Sequence, residues 1–553
     1  MVELNQAAQM NNRTTPALTL TFVGNPGLPR LGWMAQVDRA SCEVVVTHGQ
    51  WVEVRATGYV EGIWDAPFEQ FALDRSPTVF GSGGVVRGDR MTFVSSTSTT
   101  DYLYWAADDR TRGLLVSNSL PLLLARLDDE LDPDFESYDK LNNSIMQGIE
   151  RYAREIPTRR RKVVRRLMHW NLTVTPDSVS ESSKLWTSDF QTYRDYAAYL
   201  YETFRRLAAN ARDGARARPM AIYSTQSKGY DTTAANAVAR NFGVDKVFTV
   251  RRAKAKGYYA DEKGGSEGDD DGTDICSFFG LECVAIDRRA IERDFAEEYL
   301  YYASMHENGD FNLHQISAHV VKPSVLITGC LGEIWASERF YADHPGLINP
   351  DLMRADLGSH GLTEVRLKAG YVQVAFPYIG ARWRESIFRI THSAEMDPWR
   401  LSTAYDRPIA RRLAEEAGLA RNAFGQTKMA SVLEFPLPAM PLAPDLQIEF
   451  LRFLVESRLL RPWQVHLLPL ARRWNAIVSN TSPRRHAWNY YLQRFIGKVL
   501  RRPFAFPPVM TRLNASIFCF SVNRRAGEYK SALCSGPADD SERRGLRKVG
   551  GRS

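Results

Sequence analysis

Residues 221–240 read AIYSTQSKGYDTTAANAVAR, and this stretch decides the fold of the central part of the chain. It predicts an apolar strand, a short loop that contains Gly229, and a helix of small residues. Such a loop offers backbone N–H groups and the positive end of the helix dipole to an anion. Ser227 and Thr232 add hydroxyl donors, and Asp231 adds a carboxylate of the kind that binds Mg²⁺. The pattern G-x-x-x-x-G-K-[ST] is absent, so the loop is not of the Walker A kind.

Strand patterns continue on the C-terminal side of this loop. KVFTV, ECVAID and SVLITG each predict a short strand, and helical patterns separate them. A long helix is predicted before the loop, from Thr192 to about Arg212. Because strands that alternate with helices form a parallel sheet with both faces covered, we expect an α/β domain over residues 191–435.

The N-terminal part of the chain has a different pattern. From about Leu18 to Leu127, short apolar runs such as CEVVVTHG, WVEVRATGYV and MTFVSSTS are broken by Gly, Pro and Asp. Period-two alternation with regular turn signals predicts an antiparallel β domain, which we assign to residues 17–130. Residues 131–190 are expected to be a connector, with a helix near 138–155 and a strand near 169–175.

The two ends and the C-terminal region complete the predicted organisation. Residues 1–16 and residues 531–553 are polar, and both are expected to be disordered. The Pro-rich run FPLPAMPLAP at 435–444 precedes a mainly helical extension over residues 436–530. The predicted fold class is therefore mixed, with an antiparallel β domain (α+β) followed by an α/β domain.

Composition and cysteine usage exclude several classes of protein. The 553 residues are 44% hydrophobic and 24% charged, as expected of a folded chain with two domains. The polar N-terminus lacks the apolar core of a secretory signal, and no apolar window is long enough to span a membrane. The six cysteines form no C-x-x-C pair, which disfavours a zinc site or a disulfide framework. We expect a cytoplasmic protein with no membrane partner.

The net charge of +7 does not by itself predict a nucleic-acid partner. Much of the excess is assigned to the run from Arg159 to Arg166 and to the C-terminal tail. A surface that binds nucleic acid interleaves basic residues with exposed aromatic residues, whereas Val163 and Val164 separate the charges of this run. We therefore interpret the run as a solvated strand or helix face and expect no nucleic-acid partner.

The loop QSKGYDT resembles the pyrophosphate loop S-G-G-x-D-S of enzymes that cleave ATP to AMP and pyrophosphate. Ser227, Gly229, Asp231 and Thr232 match in order, whereas Lys228 replaces the first glycine. Three further segments resemble asparagine synthases in their order and spacing: VLITGCLGEIW at 325–335, EVRLKAGYVQVAFPYIG at 364–380, and YDRPIARRLAEEAGLARNAFGQTKMAS at 405–431. The resemblance covers about residues 190–435 and implies a synthetase domain of the adenine nucleotide α-hydrolase-like fold.

This resemblance implies a set of site residues. Those around the phosphates of ATP are Ser227, Lys228, Gly229, Tyr230, Asp231, Thr232, Thr328 and Gly329. Asp231 and Glu333 would bind Mg²⁺, and Lys428 would be the catalytic lysine that stabilises charge in the transition state. The segment 364–380 would shape the substrate pocket.

The stretch DYLYWAADDRTRGLLVSNSLPLLLARL resembles the last strands and first helix of an Ntn glutaminase domain. Such domains use an N-terminal Cys, but Val2 follows Met1 here, and the nearest Cys is Cys42 inside a strand pattern. An internal Cys has no free amine to act as base, so we expect Cys42 in the core. The first domain is thus predicted to be a degenerate glutaminase-like domain that does not hydrolyse glutamine.

The synthetase-like part also departs from the family pattern. Lys228 can neutralise phosphate charge, or it strains a backbone position that needs glycine. Glu333 stands in place of an Asp and Ile334 in place of a Glu, which still leaves one carboxylate for Mg²⁺. Gly380 replaces an aspartate of the substrate pocket, which implies a substrate other than aspartate or a loss of function.

These features together predict an ATP-dependent, AMP-forming amide ligase (a carbon–nitrogen ligase). It would activate a small-molecule carboxylate as an acyl-adenylate, which ammonia or an amine would then attack. Two other hypotheses stay open: an inactive nucleotide-binding homologue with a regulatory or scaffolding role, and a nucleotide-dependent modifier of tRNA. Formation of AMP and pyrophosphate would distinguish the ligase from the inactive homologue.

Overall fold

The computed structural model describes residues 18–108, 113–135, 137–160, 162–184, 189–255, 267–286, 308–309, 313–337, 360–403, 405–426, 429–430, 433–434, 444–470, 491–492, 494–499, 501 and 510–534. Over these residues the chain is a mixed α/β structure, with largely antiparallel sheets in its N-terminal part and a parallel sheet in its C-terminal part. The predicted fold class is confirmed at this level. Residues 1–16 and 535–553, which were expected to be disordered, lie outside the described residues. Residues 531–534, predicted to begin the disordered tail, are instead the last turn of the helix Met510–Cys534, so that boundary was wrong.

Two sheets form the N-terminal part. The seven-stranded sheet has the order β1-β3-β2-β9-β8-β11-β10, with β1 (Thr19–Gly24), β2 (Trp33–Asp38), β3 (Glu43–His48), β8 (Leu103–Asp108), β9 (Gly113–Ser117), β10 (Glu155–Pro157) and β11 (Val163–Leu167). The six-stranded sheet has the order β13-β12-β7-β6-β5-β4, with β4 (Glu53–Arg55), β5 (Gly58–Trp64), β6 (Val79–Arg87), β7 (Arg90–Val94), β12 (Trp170–Val174) and β13 (Val179–Ser183). Neighbouring strands are antiparallel, except that β1 and β3 are parallel.

The two sheets bury a shared core. Buried and less buried side chains alternate in strands such as β3, whereas β5 and β9 are buried along their whole length. Trp33 of β2 lies edge-on against Tyr59 of β5, with ring centroids 4.9 Å apart. Its indole N–H donates to Ser82 Oγ of β6 at 3.1 Å. Cys42 is buried in the same cluster, so the prediction that it is a core residue is confirmed.

Residues 131–190 differ from the predicted connector. They supply β10 and β11 to one sheet and β12 and β13 to the other, and the predicted helix is limited to Tyr138–Asn143 and a 3₁₀ turn at Ser144–Gln147. The arginine run, interpreted as a solvated strand or helix face, contains most of β11, but Arg166 at its end is a core residue and not a solvated one. Its Nε–H donates to the Ala153 carbonyl at 2.9 Å, and its guanidinium lies 4.9 Å from the centroid of the Tyr102 ring.

A five-stranded parallel sheet forms the centre of the C-terminal part. Its order is β18-β15-β14-β20-β21, with β14 (Ala221–Thr225), β15 (Lys246–Val250), β18 (Cys283–Ile286), β20 (Ser324–Thr328) and β21 (Tyr371–Ala375). Strands β20 and β21 are buried along their whole length, as expected of a sheet covered on both faces. The parallel sheet is thus confirmed, and β21 adds one strand to the four that the sequence predicted.

Two small sheets and the helices complete the described structure. The small sheets pair β16 (Arg252–Ala255) with β17 (Glu267–Asp269) and β22 (Met429–Ala430), and β19 (Asn308–Gly309) with β23 (Leu433–Glu434). The α-helices of the described residues are α1 (Leu120–Leu127), α2 (Tyr138–Asn143), α3 (Tyr193–Arg212), α4 (Tyr230–Ala239), α5 (Thr273–Phe278), α6 (Leu313–Ser317), α7 (His360–Ala369), α8 (Arg384–His392), α9 (Pro408–Glu416), α10 (Pro444–Glu456), α11 (Pro462–Val465) and α12 (Met510–Cys534).

Helix α12 packs against the N-terminal part of the chain and contacts α1. The Asn523 side-chain oxygen accepts from the Leu131 N–H at 2.7 Å, and the Tyr529 hydroxyl donates to Glu364 at 2.8 Å. The C-terminal region, which was predicted as an extension, therefore contributes to the core at α12. Among the described helices, none combines the length and apolar character that crossing a membrane requires.

Strand β14 is the point at which the order of the parallel sheet reverses. It pairs with β15 on one side and with β20 on the other. In open α/β sheets, ligands bind in the crevice beyond the carboxyl ends of the strands at such a point. The loop between β14 and α4 follows the carboxyl end of β14, and the segment that follows β20 packs against it, so the fold makes this crevice the candidate site.

Candidate functional site

The loop between β14 and α4 directs three backbone N–H groups towards acceptors of the protein itself. The Ser227 N–H donates to Thr232 Oγ1 and the Gly229 N–H donates to Ser227 Oγ, each at 3.1 Å. The Lys228 N–H donates to Asp270 Oδ1 at 3.0 Å. An entering phosphate would have to replace these acceptors, and the two hydroxyl groups can rotate to become donors to it.

Lys228 adopts an ordinary backbone conformation. Its φ does not lie in the left-handed region, so the alternative that it strains a glycine position is wrong. Its ammonium forms an ion pair with Asp269 of β17 at the rim of the loop, where Lys228 is about one-third exposed. A charge held at the rim can turn to an incoming anion, and the role of Lys228 towards phosphate stays a prediction.

Tyr230 begins α4 and is fully buried. Its ring contacts Tyr405, with centroids 4.8 Å apart, and its hydroxyl accepts from Arg411, whose guanidinium also lies 4.9 Å from the ring centroid. Burial raises the pKa of Tyr230, which keeps the phenol neutral. The side chain of Tyr230 therefore anchors the first turn of α4 to α9, and the part of Tyr230 left for a ligand is its backbone.

The segment after β20 approaches the start of α4 closely because two of its residues are glycines. A Cβ on Gly329 would lie 2.8 Å from Asp231 Cβ, and a Cβ on Gly332 would lie 2.1 Å from Asp231 Cγ. Thr328, the last residue of β20, is buried and accepts from Gln373 Nε2 at 3.2 Å. The two loops predicted from the sequence, one after β14 and one after β20, are therefore in contact, with Asp231 between them.

Asp231 and Glu333, the two predicted metal ligands, are bridged by a guanidinium. Arg407 Nη1 donates to Asp231 Oδ1 at 2.5 Å, and Arg407 Nη2 is 3.4 Å from Glu333 Oε1. The Arg407 side chain is only 3% exposed, against 13% for Asp231 and 18% for Glu333. A planar guanidinium that spans two carboxylates holds both loops at one point.

The chemistry of Asp231, Glu333 and Arg407, which we call the trio, fits a Mg²⁺ ion that binds together with the phosphates of a nucleotide. The guanidinium engages one oxygen of each carboxylate, and the charges of the two carboxylates and the guanidinium sum to a net negative site. Mg²⁺ in nucleotide sites commonly takes one or two protein carboxylates together with phosphate oxygens. Within the described residues no cluster of three or more His, Cys, Asp or Glu side chains could hold a metal alone.

Lys428 lies outside the described residues, but the chain on both sides of it is attached to this site. The Gly425 N–H donates to the Lys228 carbonyl at 2.7 Å. Gly425 has a φ of 66°, and a Cβ there would lie 2.3 Å from the Tyr230 ring. On the other side, Met429 pairs with Ala255 in the small sheet. The catalytic role of Lys428 stays a prediction.

The segment 364–380 was expected to shape the substrate pocket, which stays a prediction; its residue Arg366 anchors the parallel sheet to the N-terminal sheets. Arg366 of α7 is fully buried and bonded to Glu61 of β5 and to Asp101, with Arg366 Nη1 2.8 Å from Glu61 Oε2. Burial raises the pKa of Glu61, and the charge of Arg366 opposes that effect. The pocket role of Arg366 is therefore not supported, because its guanidinium is engaged within the core.

Gly380, at the end of the same segment, has a φ of 80°, in the left-handed region that favours glycine. A Cβ there would lie 3.2 Å from the Tyr196 ring and 3.3 Å from the Phe190 ring. The backbone conformation and this close packing give a structural reason for glycine at position 380.

Two residues of the site were missed by the sequence analysis. Arg407 was quoted within its segment without a role, and Asp270 belongs to the acidic run EGDDDGTD that follows the second strand. The signal for Asp270 is the three adjacent carboxylates of this run, but the run does not place Asp270 at the loop, because it begins 17 residues after β15 and overlaps the antiparallel strand β17. No local signal marks Arg407, because its partners lie far away in the sequence.

Comparison of the sequence with known protein families and with curated proteins gives no match.

Proposed function

We propose that the protein is an AMP-forming amide ligase similar to asparagine synthases, with a synthetase domain of the adenine nucleotide α-hydrolase-like fold. The observation that carries the proposal is the convergence of two loops at the reversal point of a parallel sheet, with Asp231, Glu333 and Arg407 at their contact. Ligands bind at this point in α/β sheets, and the first loop ends at a helix N-terminus that favours anions.

In the proposed reaction, ATP and a small-molecule carboxylate are substrates. The loop formed by Ser227, Lys228 and Gly229 would hold the two phosphates that leave, and Thr232 would donate its hydroxyl to them. A carboxylate oxygen attacks the α-phosphorus, the bond between the α-phosphorus and the bridging oxygen breaks, and pyrophosphate leaves. Asp231 and Glu333 would hold Mg²⁺, which neutralises phosphate charge when bound.

The second half of the proposed reaction forms the amide. Ammonia or an amine attacks the acyl carbon, AMP leaves, and the nitrogen loses a proton to solvent. Arg407, bonded between the two carboxylates, keeps them separated and oriented before ATP binds. Lys428 is proposed to stabilise the charge that develops on the phosphate and on the acyl oxygen, an electrostatic role that depends on a preorganised donor.

The nitrogen source is proposed to be free ammonia or an amine substrate. The two N-terminal sheets are interpreted as a degenerate glutaminase-like domain of the Ntn kind. We infer that this domain does not hydrolyse glutamine, because Cys42 is internal in the chain and is buried in the core, with 4% exposure. A thiol enclosed in a core cannot reach a glutamine amide, and its backbone nitrogen is part of a peptide bond.

A second candidate function is a nucleotide-binding protein without turnover. The observation that favours it is Arg407, whose positive charge occupies the space between the two carboxylates. The loop N–H groups also favour it, because they already donate to side chains of the protein, namely Ser227, Thr232 and Asp270. On this view the trio would replace a metal-dependent site with a permanent internal cation.

The identity of the released nucleotide distinguishes the two candidates. The protein would be incubated with Mg²⁺, ATP labelled at the α-phosphate, a mixture of the common amino acids, and hydroxylamine as a trapping amine. AMP, pyrophosphate and a hydroxamate are the products expected of the ligase. Binding of the non-cleavable analogue α,β-methylene-ATP without formation of AMP would favour the second candidate, and no binding of the analogue would contradict both.

A further inference from the structure

The basic excess of the chain is concentrated in its C-terminal region. Residues 457–527 contain thirteen Lys or Arg and no Asp or Glu, which exceeds the net charge of +7 of the whole chain. This stretch adds to the run at 159–166 and to the C-terminal tail, the two places to which the basic excess was assigned above. A stretch with no carboxylates cannot neutralise its own charge. Arg524 and Arg525 at its end pair with Glu449 and Glu528 from outside it, so the charge considered below is that of the exposed basic residues before α12.

Exposed apolar side chains lie within the same stretch at helical spacing. Residues 491–492 and 494–499 are helical, and Tyr491, Phe495 and Val499 are 66, 65 and 66% exposed. Because residues four apart lie on the same face of a helix, these three form one apolar stripe. Arg494 and Lys498, also four apart, form an exposed basic stripe beside it.

A second apolar stripe begins at α11. Trp463, Leu467 and Leu470 are 56, 45 and 63% exposed and are spaced four and three residues apart. Arg461 precedes α11 and is exposed. Large apolar side chains are rarely exposed in groups on a protein surface, and grouped exposure marks an interaction surface. We call the exposed residues 461, 463, 467, 470, 491, 494, 495, 498, 499 and 501 the basic apolar surface.

We propose that the basic apolar surface binds the headgroup region of an anionic lipid membrane, with its helices lying in the plane of the interface. Amphipathic helices with basic residues beside Trp, Phe and aliphatic residues bind membranes in this way, without crossing them. The positive charges attract anionic headgroups, and the apolar stripes enter the boundary between headgroups and acyl chains.

The aliphatic residues favour a lipid partner over nucleic acid. A single-stranded nucleic acid stacks its bases on aromatic rings and pairs its phosphates with basic residues. Val499, Leu467 and Leu470 offer no ring for stacking. Val499 and Leu470 are nevertheless as exposed as the aromatic residues of their stripes, and Leu467 is 45% exposed. An acyl-chain boundary buries aliphatic and aromatic side chains alike, so it accounts for all members of both stripes.

The test is co-sedimentation of the full chain with lipid vesicles. The protein is expected to bind vesicles that contain phosphatidylglycerol, to bind pure phosphatidylcholine at least about tenfold more weakly, and to lose binding as salt is raised. Replacing Arg494, Lys498 and Arg501 by Gln should weaken binding by about 100-fold, since each charge near the surface contributes about a fivefold factor.

Two further variants separate charge from apolar insertion. Replacing Tyr491, Phe495 and Val499 by Ser should weaken binding by at least about tenfold at low salt, because apolar area no longer leaves water. A control variant replaces Arg75, Arg90 and Arg194 by Gln; these are exposed arginines outside the stretch, and binding should change less than about twofold. Unchanged thermal unfolding of all three variants would show that the changes act at the surface.

Three results would overturn the proposal. One is equal loss of vesicle binding in the control variant, because binding would then depend on net charge alone. Another is binding to a single-stranded oligonucleotide with no binding to vesicles. The third is a stable dimer that the change of Tyr491, Phe495 and Val499 to Ser converts to a monomer, because a second copy of the chain would then cover the apolar stripe.

Discussion

Arg366 is predicted to be the main polar anchor between the N-terminal sheets and the parallel sheet. Its side chain is 1% exposed, and its partners Glu61 and Asp101 are 0 and 3% exposed. Replacing Arg366 by Met keeps most of the side-chain volume but leaves two carboxylates buried without their cation. Removal of one partner from a buried ion pair costs about 3–5 kcal/mol, so we expect a loss of that size in the free energy of unfolding.

A matched control is available in Arg382, which also joins the two parts of the chain. Its ion pair with Glu150 is 2.7 Å long but exposed, at 30 and 51%. Exposed pairs contribute about 0–1 kcal/mol, so Arg382→Met should cost no more than that. The comparison holds the chemistry of the substitution constant and changes burial, together with the number of paired carboxylates, which is two for Arg366 against the Glu150 pair of Arg382.

The assay is urea unfolding of both variants, followed by circular dichroism. The combined variant Arg366→Met, Glu61→Gln, Asp101→Asn should recover much of the loss, because it leaves no charge buried without a partner. A cost below about 1 kcal/mol for Arg366→Met, or a cost equal to that of Arg382→Met, would refute the reasoning. Such a result would mean that Glu61 and Asp101 become neutral or reach water at little cost in free energy.

The remaining predictions concern pH, metal, catalysis and nitrogen source. Burial lowers the pKa of His169 to about 3, so between pH 6.5 and pH 3 only the unfolded chain takes up the proton. The free energy of unfolding should therefore fall as pH drops from about 6.5 towards 3, by up to about 1.4 kcal/mol per pH unit more than in His169→Asn. Equal slopes for the two proteins in acid titrations of unfolding would contradict this. His169 has a φ of 61°, which Asn tolerates, so the variant is a fair reference. Asp231→Asn should abolish carboxylate-dependent exchange of labelled pyrophosphate into ATP, because a metal-binding charge is removed at constant shape; full exchange would place the metal elsewhere. Lys428→Ala should bind ATP within a few-fold of the unchanged protein by calorimetry yet form amide at least about a hundredfold more slowly in single turnovers, and near-normal turnover would exclude a catalytic role. Glutamine should yield no glutamate above background, and a glutaminase activity that disappears in Cys42→Ala would contradict the proposed nitrogen source.

The sequence by itself determined the local elements around the candidate site. Apolar runs that alternate with helical patterns predicted the parallel sheet, and the glycine-containing segment after AIYST predicted a loop at a helix N-terminus. These features depend on residues close together in the chain, where periodicity and turn chemistry act directly. Cys42 is buried as predicted, but it lies in the turn before β3 with a φ of 58° and not within a strand, so its predicted strand position was wrong.

Only the tertiary structure decided which charges meet. Arg407 reaches Asp231 across 176 residues of sequence, and Arg366 reaches Glu61 across 305. An arginine in the sequence looks the same whether it is solvated, as was expected of Arg166, or enclosed in a core. A buried charge is stable only where the fold supplies its partners, and those partners come from distant strands and helices, so no local pattern records them.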